Sequence, residues 1–291
     1  MSSVCALCGS DQVGLLYQRD ECVRPISARF SPVADDFGIH SNILKCRRCN
    51  LVWAEQTRDS AQTQVDYSDS SDTSELYLSQ RKERERTFER SWAWINRHFD
   101  SPPKRVLDVG ASAGIFLNLL KQRGLEVSGV ELSRHSTKRA HEEFGLDLFN
   151  GSLADAHYPD NHFDLVTMFE VIEHFSNPFR ELKEIKRVLR KNGLLLIATP
   201  NLGSLSARMM RRNWWSFREM HLFYFSVDSL RAALLADGFE MLDSRAYRKT
   251  FKLSYYLSKA LGRHVSLPKV FDLSITLPLG DFESLFRKVD R

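Results

Sequence analysis

The chain has 291 residues, of which 43% are hydrophobic and 11% aromatic. It is therefore long enough for one large α/β domain with a small second one, and too apolar for wholesale disorder. No apolar run reaches the roughly 20 residues of a membrane span, and the first residues lack the basic and apolar segments of a signal peptide. We expect a cytoplasmic protein without a transmembrane segment, and peripheral contact with a membrane is compatible with the sequence.

The net charge of +4 is unevenly distributed. Residues 1–75 carry 7 basic and 11 acidic side chains, whereas residues 201–291 carry 15 basic and 9 acidic ones. The basic C-terminal third favours an anionic small-molecule or glycan substrate, or an anionic surface. The acidic N-terminal part disfavours a nucleic-acid partner, because a segment that follows a phosphate backbone should be basic.

Two Cys-x-x-Cys pairs begin the chain, separated by 37 residues. The four cysteines are Cys5, Cys8, Cys46 and Cys49. In a reducing compartment such pairs favour a tetrahedral zinc site over disulfides, and redox motifs seldom come in matched pairs. A redox role and unligated cysteines are the alternatives. Gly9 and Asn50 follow the two pairs, and both residue types tolerate the left-handed backbone of such turns. We predict a zinc ribbon-like module at 1–58 whose core is separate from that of the following domain, and we interpret Cys22, which has no Cys-x-x-Cys partner, as a buried thiol.

The segment 59–75 is rich in Ser and Asp, which is typical of a linker. Apolar residues then recur at helical spacing between Leu76 and Phe99, and Pro102-Pro103 ends the pattern. Residues 59–100 are thus interpreted as a linker followed by an amphipathic helix.

From residue 101 onward, strand and helix patterns alternate, which indicates a mostly parallel sheet covered on both faces. Strands are predicted at Arg105–Val109, Glu126–Glu131, Asp164–Phe169, Gly193–Thr199, Phe239–Tyr247 and Leu273–Val289, the last broken near Gly280. Helices are predicted at Gly114–Arg123, Arg134–Phe144, Pro178–Arg190 and Val227–Asp237.

The first of these strands runs into a glycine loop, Asp108 to Gly114, and then into a helix. Gly110 permits a tight turn and a close approach of a ligand to the backbone, and the amides at the helix start favour electron-rich groups. Glu131 ends the second strand, where an acidic side chain can accept hydrogen bonds from two ribose hydroxyls. A nicotinamide dinucleotide and S-adenosylmethionine both fit this arrangement.

The residues LDVGASAG at 107–114 resemble the first motif of class I S-adenosylmethionine-dependent methyltransferases, with Ser112 at the middle glycine position. Residues 160–174, 189–200 and 221–239 resemble that family's later motifs. The resemblance implies a Rossmann-like, seven-stranded α/β fold over 101–291. The cysteine pairs also resemble the zinc module fused ahead of a subgroup whose members often modify sugars or glycans.

Carried over residue by residue, the resemblance implies an S-adenosylmethionine site. Its methionine and ribose side would be lined by Asp108, Gly110, Ala111 and Gly114, with Glu131 on the ribose diol. Leu132, Ser152 and Leu153 would edge the adenine, and Phe169 would lie at the mouth. Ordinary core packing is the alternative for the hydrophobic members of this set.

Proton removal from an acceptor needs a base or a metal, and candidates follow the fourth strand. Glu170, Glu173 and His174 stand at i, i+3 and i+4, so a helical start would place them on one face. Together with His221 they resemble the ligand sets of ubiquinone-pathway catechol O-methyltransferases and small-RNA terminal 2′-O-methyltransferases. The resemblance implies a divalent cation such as Mg or Mn. A metal-free histidine base, or purely structural histidines, are the alternatives.

The segment Arg208–Arg218 interleaves four arginines with Trp214, Trp215 and Phe217. Arginine suits phosphate and aromatic faces suit sugar rings or lipid headgroups, while core packing of a tryptophan is the alternative. We expect an S-adenosylmethionine-dependent methyltransferase that O-methylates a sugar or glycan hydroxyl, nucleotide- or lipid-linked. The alternatives are C-methylation of a keto-sugar, an RNA-modifying enzyme with the zinc module as reader, and a non-catalytic scaffold.

Overall fold

The computed structural model describes residues 4–19, 40–55, 72–261, 265–268 and 270–289. Its strands are β1 (Val13–Tyr17), β2 (Ile43–Cys46), β3 (Val52–Ala54), β4 (Arg105–Val109), β5 (Glu126–Glu131), β6 (Phe149–Asn150), β7 (Phe163–Phe169), β8 (Leu189–Pro200), β9 (Phe223–Tyr224), β10 (Phe239–Lys252) and β11 (Ser274–Lys288). Its α-helices are α1 (Asp72–Ser79), α2 (Arg81–Ile95), α3 (Ile115–Lys121), α4 (Arg134–Phe144), α5 (Pro178–Val188), α6 (Leu205–Met210), α7 (Val227–Ala236) and α8 (Leu253–Leu261). None of the helices described has the length and apolarity that a bilayer crossing requires.

The larger sheet has seven strands in the order β10-β11-β8-β7-β4-β5-β6. Strands β4 to β8 pair in parallel, whereas β11 runs antiparallel to both β8 and β10. Parallel pairs need crossover helices, and α3, α4 and α5 supply them. The seven-stranded Rossmann-like fold is therefore confirmed. The chain reverses strand order between β4 and β7, which is where such sheets bind ligands.

Several boundaries differ from the sequence prediction. The helical stretch near the linker is two helices, α1 and α2, that meet at Gln80. Strand β11 continues through Gly280, and the irregularity lies in its pairing, where the register with β10 shifts between Ala246 and Arg248. Strand β6 has only two residues, too few to show a pattern in the sequence.

The smaller sheet joins the cysteine segment to the part of the chain that forms the larger sheet. Its order is β1-β2-β3-β9, so the strand at 223–224 pairs with the N-terminal segment. Strand β3 is buried on both faces. Trp53 packs into the core under the larger sheet, whereas Val52 and Ala54 pack with Trp214 and Phe217.

This arrangement differs from the expectation of two separate cores, because Cys5, Cys46 and Trp53 share one cluster with residues of the larger sheet. The domain limits at 58 and 100 stay predictions. Cys22 and most of the predicted linker lie outside the described residues.

Trp214 is fully buried, as is Phe217, while Trp215 is half-buried. Replacing Trp214 with Ala should therefore lower the free energy of unfolding by about 3–5 kcal/mol in urea denaturation. Trp214→Phe should lose less, because it keeps a ring and because Nε1 has no hydrogen-bond partner among the described residues. Unchanged stability of Trp214→Ala would contradict this packing.

Candidate active site

A cleft opens at the carboxyl ends of β4, β5 and β7 and encloses about 930 Å³ of free space, part of it open solvent. Five of the predicted cofactor residues line it, namely Gly110, Glu131, Leu132, Ser152 and Leu153. The candidate base His174 lines the same cleft, so the predicted cofactor and acceptor groups meet in one space.

The glycine loop has the backbone that the motif requires. Gly110 and Gly114 have φ of 73° and 77°, and Ser112 adopts φ of 49° at the position where a glycine is usual. A Cβ on Gly110 would lie 2.4 Å from Val171 Cγ2, so no larger residue fits there without a shift. The Ser112 N–H donates to Glu131 Oε2 at 2.8 Å, and this bond holds Ser112 in its uncommon conformation.

Glu131 is buried at the end of β5. Its Oε1 accepts a second backbone hydrogen bond, from Ser133 N at 2.8 Å. Burial raises the pKa of Glu131, and the N–H groups of Ser133 and Ser112 oppose that effect. A carboxylate fixed by two amides keeps further lone pairs for a ribose diol.

The other predicted cofactor residues lie behind the cleft wall. Asp108 is buried and accepts a hydrogen bond from Thr167 Oγ1 at 2.6 Å. Burial raises the pKa of Asp108 to about 7, and the charge of Glu131 adds to the shift. Ala111 is buried, and Gly114 precedes the first residue of α3. Phe169 packs against Phe88, Phe116 and Tyr247.

The two candidate catalytic histidines lie side by side, with ring centroids 4.8 Å apart. His174 Nδ1 donates to the Met220 carbonyl at 3.0 Å, and His221 Nδ1 donates to the Ser216 carbonyl at 2.8 Å. A carbonyl only accepts, so each ring carries its proton on Nδ1 and leaves the Nε2 lone pair for a proton or a metal. Burial lowers the pKa of His174 and lowers that of His221 further, so both imidazoles are neutral.

Glu173 completes a group with these two histidines, because their potential ligand atoms all lie within 4.8 Å of one another. Its carboxylate is buried and accepts from Thr199 Oγ1 at 2.9 Å. Burial raises the pKa of Glu173 to about 8, with a further contribution from Glu170. A buried carboxylate beside two imidazole lone pairs suits either a shared proton or a divalent cation.

Glu170, the fourth predicted ligand, lies outside this group. Its φ of 58° turns the chain, and the next helical turn begins only at Ile172. The Glu170 carboxylate is ion-paired with Lys249, whose Nζ also lies 2.8 Å from Asp281 Oδ2.

The four cysteine sulfurs also lie within 4.8 Å of one another. Cys5 Sγ is 3.4 Å from Cys49 Sγ, and Cys8 Sγ is 3.6 Å from Cys46 Sγ. A tetrahedral zinc with Zn–S bonds of about 2.3 Å requires sulfurs roughly 3.8 Å apart, which these distances approach. Gly9 and Asn50 have φ of 67° and 60°, as their positions after the two pairs predict.

Sequence reasoning missed the groups that orient the site. The carbonyls of Ser216 and Met220 carry no signal in a sequence, because any residue supplies one. Lys249 and Asp281 reach Glu170 only through the register of β10 and β11. Thr199 could have been found, because it stands at the end of a predicted strand on the ligand-binding edge.

Residues 79–244 match the family model described as a methyltransferase domain, which is more than half of the chain. The chain belongs to this family. With the sheet order and the cleft, the match defines it as a class I S-adenosylmethionine-dependent methyltransferase.

Its relatives include a ubiquinone biosynthesis O-methyltransferase of Azoarcus sp. strain BH72, 34% identical over 37% of this chain and 49% of the relative. An S-adenosylmethionine-dependent methyltransferase of Mycobacterium tuberculosis is 29% identical over 46% of this chain and 48% of the relative. The chain thus spans about half the length of the curated relatives it matches.

Two solved structures are similar in fold. One is an S-adenosylmethionine-dependent methyltransferase from Archaeoglobus fulgidus, at 20% identity and a TM-score of 0.50, covering 73% of this chain and 99% of that chain. The other comes from the complex of a Haloferax volcanii methyltransferase with the Trm112 methyltransferase activator, at 14% identity and a TM-score of 0.53, covering 76% and 98%.

Glu131→Gln should weaken S-adenosylmethionine binding by roughly 2–4 kcal/mol, about 30- to 900-fold, because it removes the charge from both hydrogen bonds to the ribose. Glu126→Gln is the matched control, since Glu126 is exposed at the opposite end of the same strand. Calorimetry on both variants decides the assignment, and equal affinities would exclude Glu131 from the cofactor site.

Proposed function

We propose that the protein transfers a methyl group from S-adenosylmethionine to a hydroxyl of a sugar or glycan. The observation that carries the O-methylation is the pair of buried imidazoles, His174 and His221, each tied at Nδ1 and open at Nε2, beside the cofactor cleft. The relatives include a ubiquinone biosynthesis O-methyltransferase, which supports the same acceptor atom.

In the bound state S-adenosylmethionine supplies an electrophilic methyl group. Glu131 and the loop from Gly110 to Gly114 hold its ribose and methionine parts. An acceptor hydroxyl placed in the cleft would give its proton to a neutral Nε2 of His174 or His221 as its oxygen takes the methyl group, and the sulfur of the S-adenosylhomocysteine product would keep the electron pair of the broken carbon–sulfur bond. The Met220 and Ser216 carbonyls keep both rings oriented throughout.

The cluster of Glu173, His174 and His221 also fits a divalent cation, because one carboxylate and two imidazoles are ligands that Mn²⁺ and Mg²⁺ sites use in mixed sets. These residues would hold it, and it would lower the pKa of a bound acceptor hydroxyl. Direct proton transfer to an imidazole and metal activation thus remain two versions of one proposal.

The acceptor that we propose is anionic and nucleotide- or lipid-linked. Support comes from the face of α6 and the turn after it, where Arg208, Arg211 and Arg212 are exposed. Leu205 and Met209 beside them are 72% and 74% exposed. Arginines next to exposed apolar side chains suit a phosphate attached to an apolar chain.

The test of the activity is incubation with S-adenosylmethionine and a panel of nucleotide-linked and lipid-linked sugars, read by mass spectrometry. The expected product is heavier by one methylene and carries the methyl on oxygen. Methylation confined to nucleic acid, or to carbon, would contradict the proposal.

Ala substitution of His174 should reduce the rate of methyl transfer by ~10²–10⁴, because His174 is the one of the two neutral imidazoles that lines the cleft. His162→Ala, at the opposite end of β7, is the control and should retain activity.

In the metal version EDTA abolishes turnover and Mn²⁺ or Mg²⁺ restores it, whereas in the metal-free version EDTA has no effect. Full activity of His174→Ala would refute both versions.

We also propose that Cys5, Cys8, Cys46 and Cys49 bind one structural zinc. Elemental analysis of protein prepared without chelator should find one zinc per chain, and Cys46→Ser should lose most of it. Cys22→Ser is the control and should keep the metal, because Cys22 belongs to neither pair. Metal-free wild-type protein would overturn this assignment.

A further inference from the structure

The segment that carries His221 is bound to the cysteine sheet. Strand β9 begins two residues after His221 and lies at the edge of the smaller sheet. Its ladder partner among the described strands is β3, with Val52 opposite Tyr224 and Trp53 opposite Phe223. Strand β3 in turn begins three residues after Cys49, the last of the four cysteines.

Leu222 links the two sites through the main chain. Its carbonyl accepts from Ala54 N at 2.9 Å, on the cysteine side. Its N–H donates to the Glu173 carbonyl at 2.7 Å, on the side of the candidate active site. Leu222 also lines the cleft. A displacement of β3 would therefore move Leu222, and with it the adjoining His221 and the hydrogen-bonded Glu173.

The rest of this segment packs against the same sheet. Trp214 and Phe217 are buried with Ile43, Val52 and Ala54 in one cluster. The rings of Phe217 and Tyr224 are 4.8 Å apart by centroid and nearly perpendicular. Phe217 also contacts the rings of Tyr17 and His40.

Both carbonyls that orient the imidazoles belong to this segment. Ser216 lies between Trp214 and Phe217, and Met220 lies between Phe217 and β9. Ser216 holds His221, and Met220 holds His174. The side chains of Trp214 and Phe217, next to the Ser216 carbonyl, therefore pack on β2 and β3.

We propose that the cysteine module is the positioning element of the acceptor site, holding His174 and His221 in their productive tautomer and orientation through the pairing of β3 with β9. The proposal rests on the proposed role of these imidazoles. It assigns Ala54 as a positioning residue, since its N–H is the last main-chain bond between the module and Leu222. The loss of zinc from the cysteines then disables methyl transfer while the cofactor residues on β4 and β5 stay in place.

The test uses full-length protein labelled with ¹⁵N-histidine, without added divalent cations. The hydrogen-bonded Nδ1 protons of His174 and His221 should give two slowly exchanging imidazole N–H signals. Each signal is assigned by its absence from the spectrum of His174→Ala or His221→Ala. Ala54→Pro removes the N–H that bonds to Leu222, whereas Ala54→Gly keeps it and is the matched control. Cys46→Ser disrupts the module from the other side.

We expect both signals to disappear in Ala54→Pro and Cys46→Ser and to persist in Ala54→Gly. Affinity for S-adenosylmethionine should stay within about fivefold of the wild type in all three variants, which shows that the larger sheet is folded. Persistence of the signals in Ala54→Pro would overturn the proposal, and so would loss of cofactor binding together with the signals. This experiment uses no acceptor, so its outcome does not depend on the proposed activity. The proposed activity is tested separately, by mass spectrometry of the product.

Discussion

The main-chain hydrogen bonds of Leu222 are the constraint on which the proposed acceptor side of the cleft depends. One bond ties Leu222 to Ala54 in β3, and the other ties it to Glu173 beside the two histidines. A residue whose N–H and C=O are both bonded has little freedom, and so its neighbours in the chain have little freedom either. This restriction extends to the nearby carbonyls of Met220 and Ser216. These carbonyls in turn hold the rings of His174 and His221 by hydrogen bonds.

The cofactor side is built differently. Glu131 is fixed by the amides of Ser112 and Ser133, which lie in the loops directly after β4 and β5. These bonds are local to the parallel strands and need nothing from the N-terminal segment. The two halves of the cleft therefore have separate structural supports, although they share one apolar core. Such an arrangement allows cofactor binding and proton removal to be altered independently.

The strands, loop and helix that carry the predicted cofactor residues follow from the sequence because their signals are local. A strand, a glycine loop and a helix follow one another from Arg105, and Glu131 ends the next strand. Spacing along the chain translates directly into position along parallel strands. Ser112 shows the limit of this reasoning, since only the structure reveals that a bond to Glu131 holds its left-handed backbone.

The acceptor half could be predicted only in part. The positions of His174 after the fourth strand and of His221 after the Arg/Trp segment predict that the two rings share one place, and the structure brings them together, while their catalytic role stays a prediction. Glu170 was expected beside them from helical spacing, but the backbone at Glu170 has positive φ and its carboxylate pairs with Lys249. A strand of two residues, such as β9, is too short to show an alternating pattern of apolar residues. Its pairing with the cysteine segment therefore could not be predicted from the sequence. For the same reason two separate cores were expected where the structure has a shared one.

Hydrogen exchange measured by mass spectrometry tests most directly whether the cysteine module and the acceptor site form one structural unit. The wild-type protein, prepared without chelator, and the Cys46→Ser variant are compared. The account predicts that peptides covering 40–55 and 214–225 lose protection together in the variant, while those of β4 and β5 keep it. Loss of protection in 40–55 alone, with 214–225 unchanged, would contradict it.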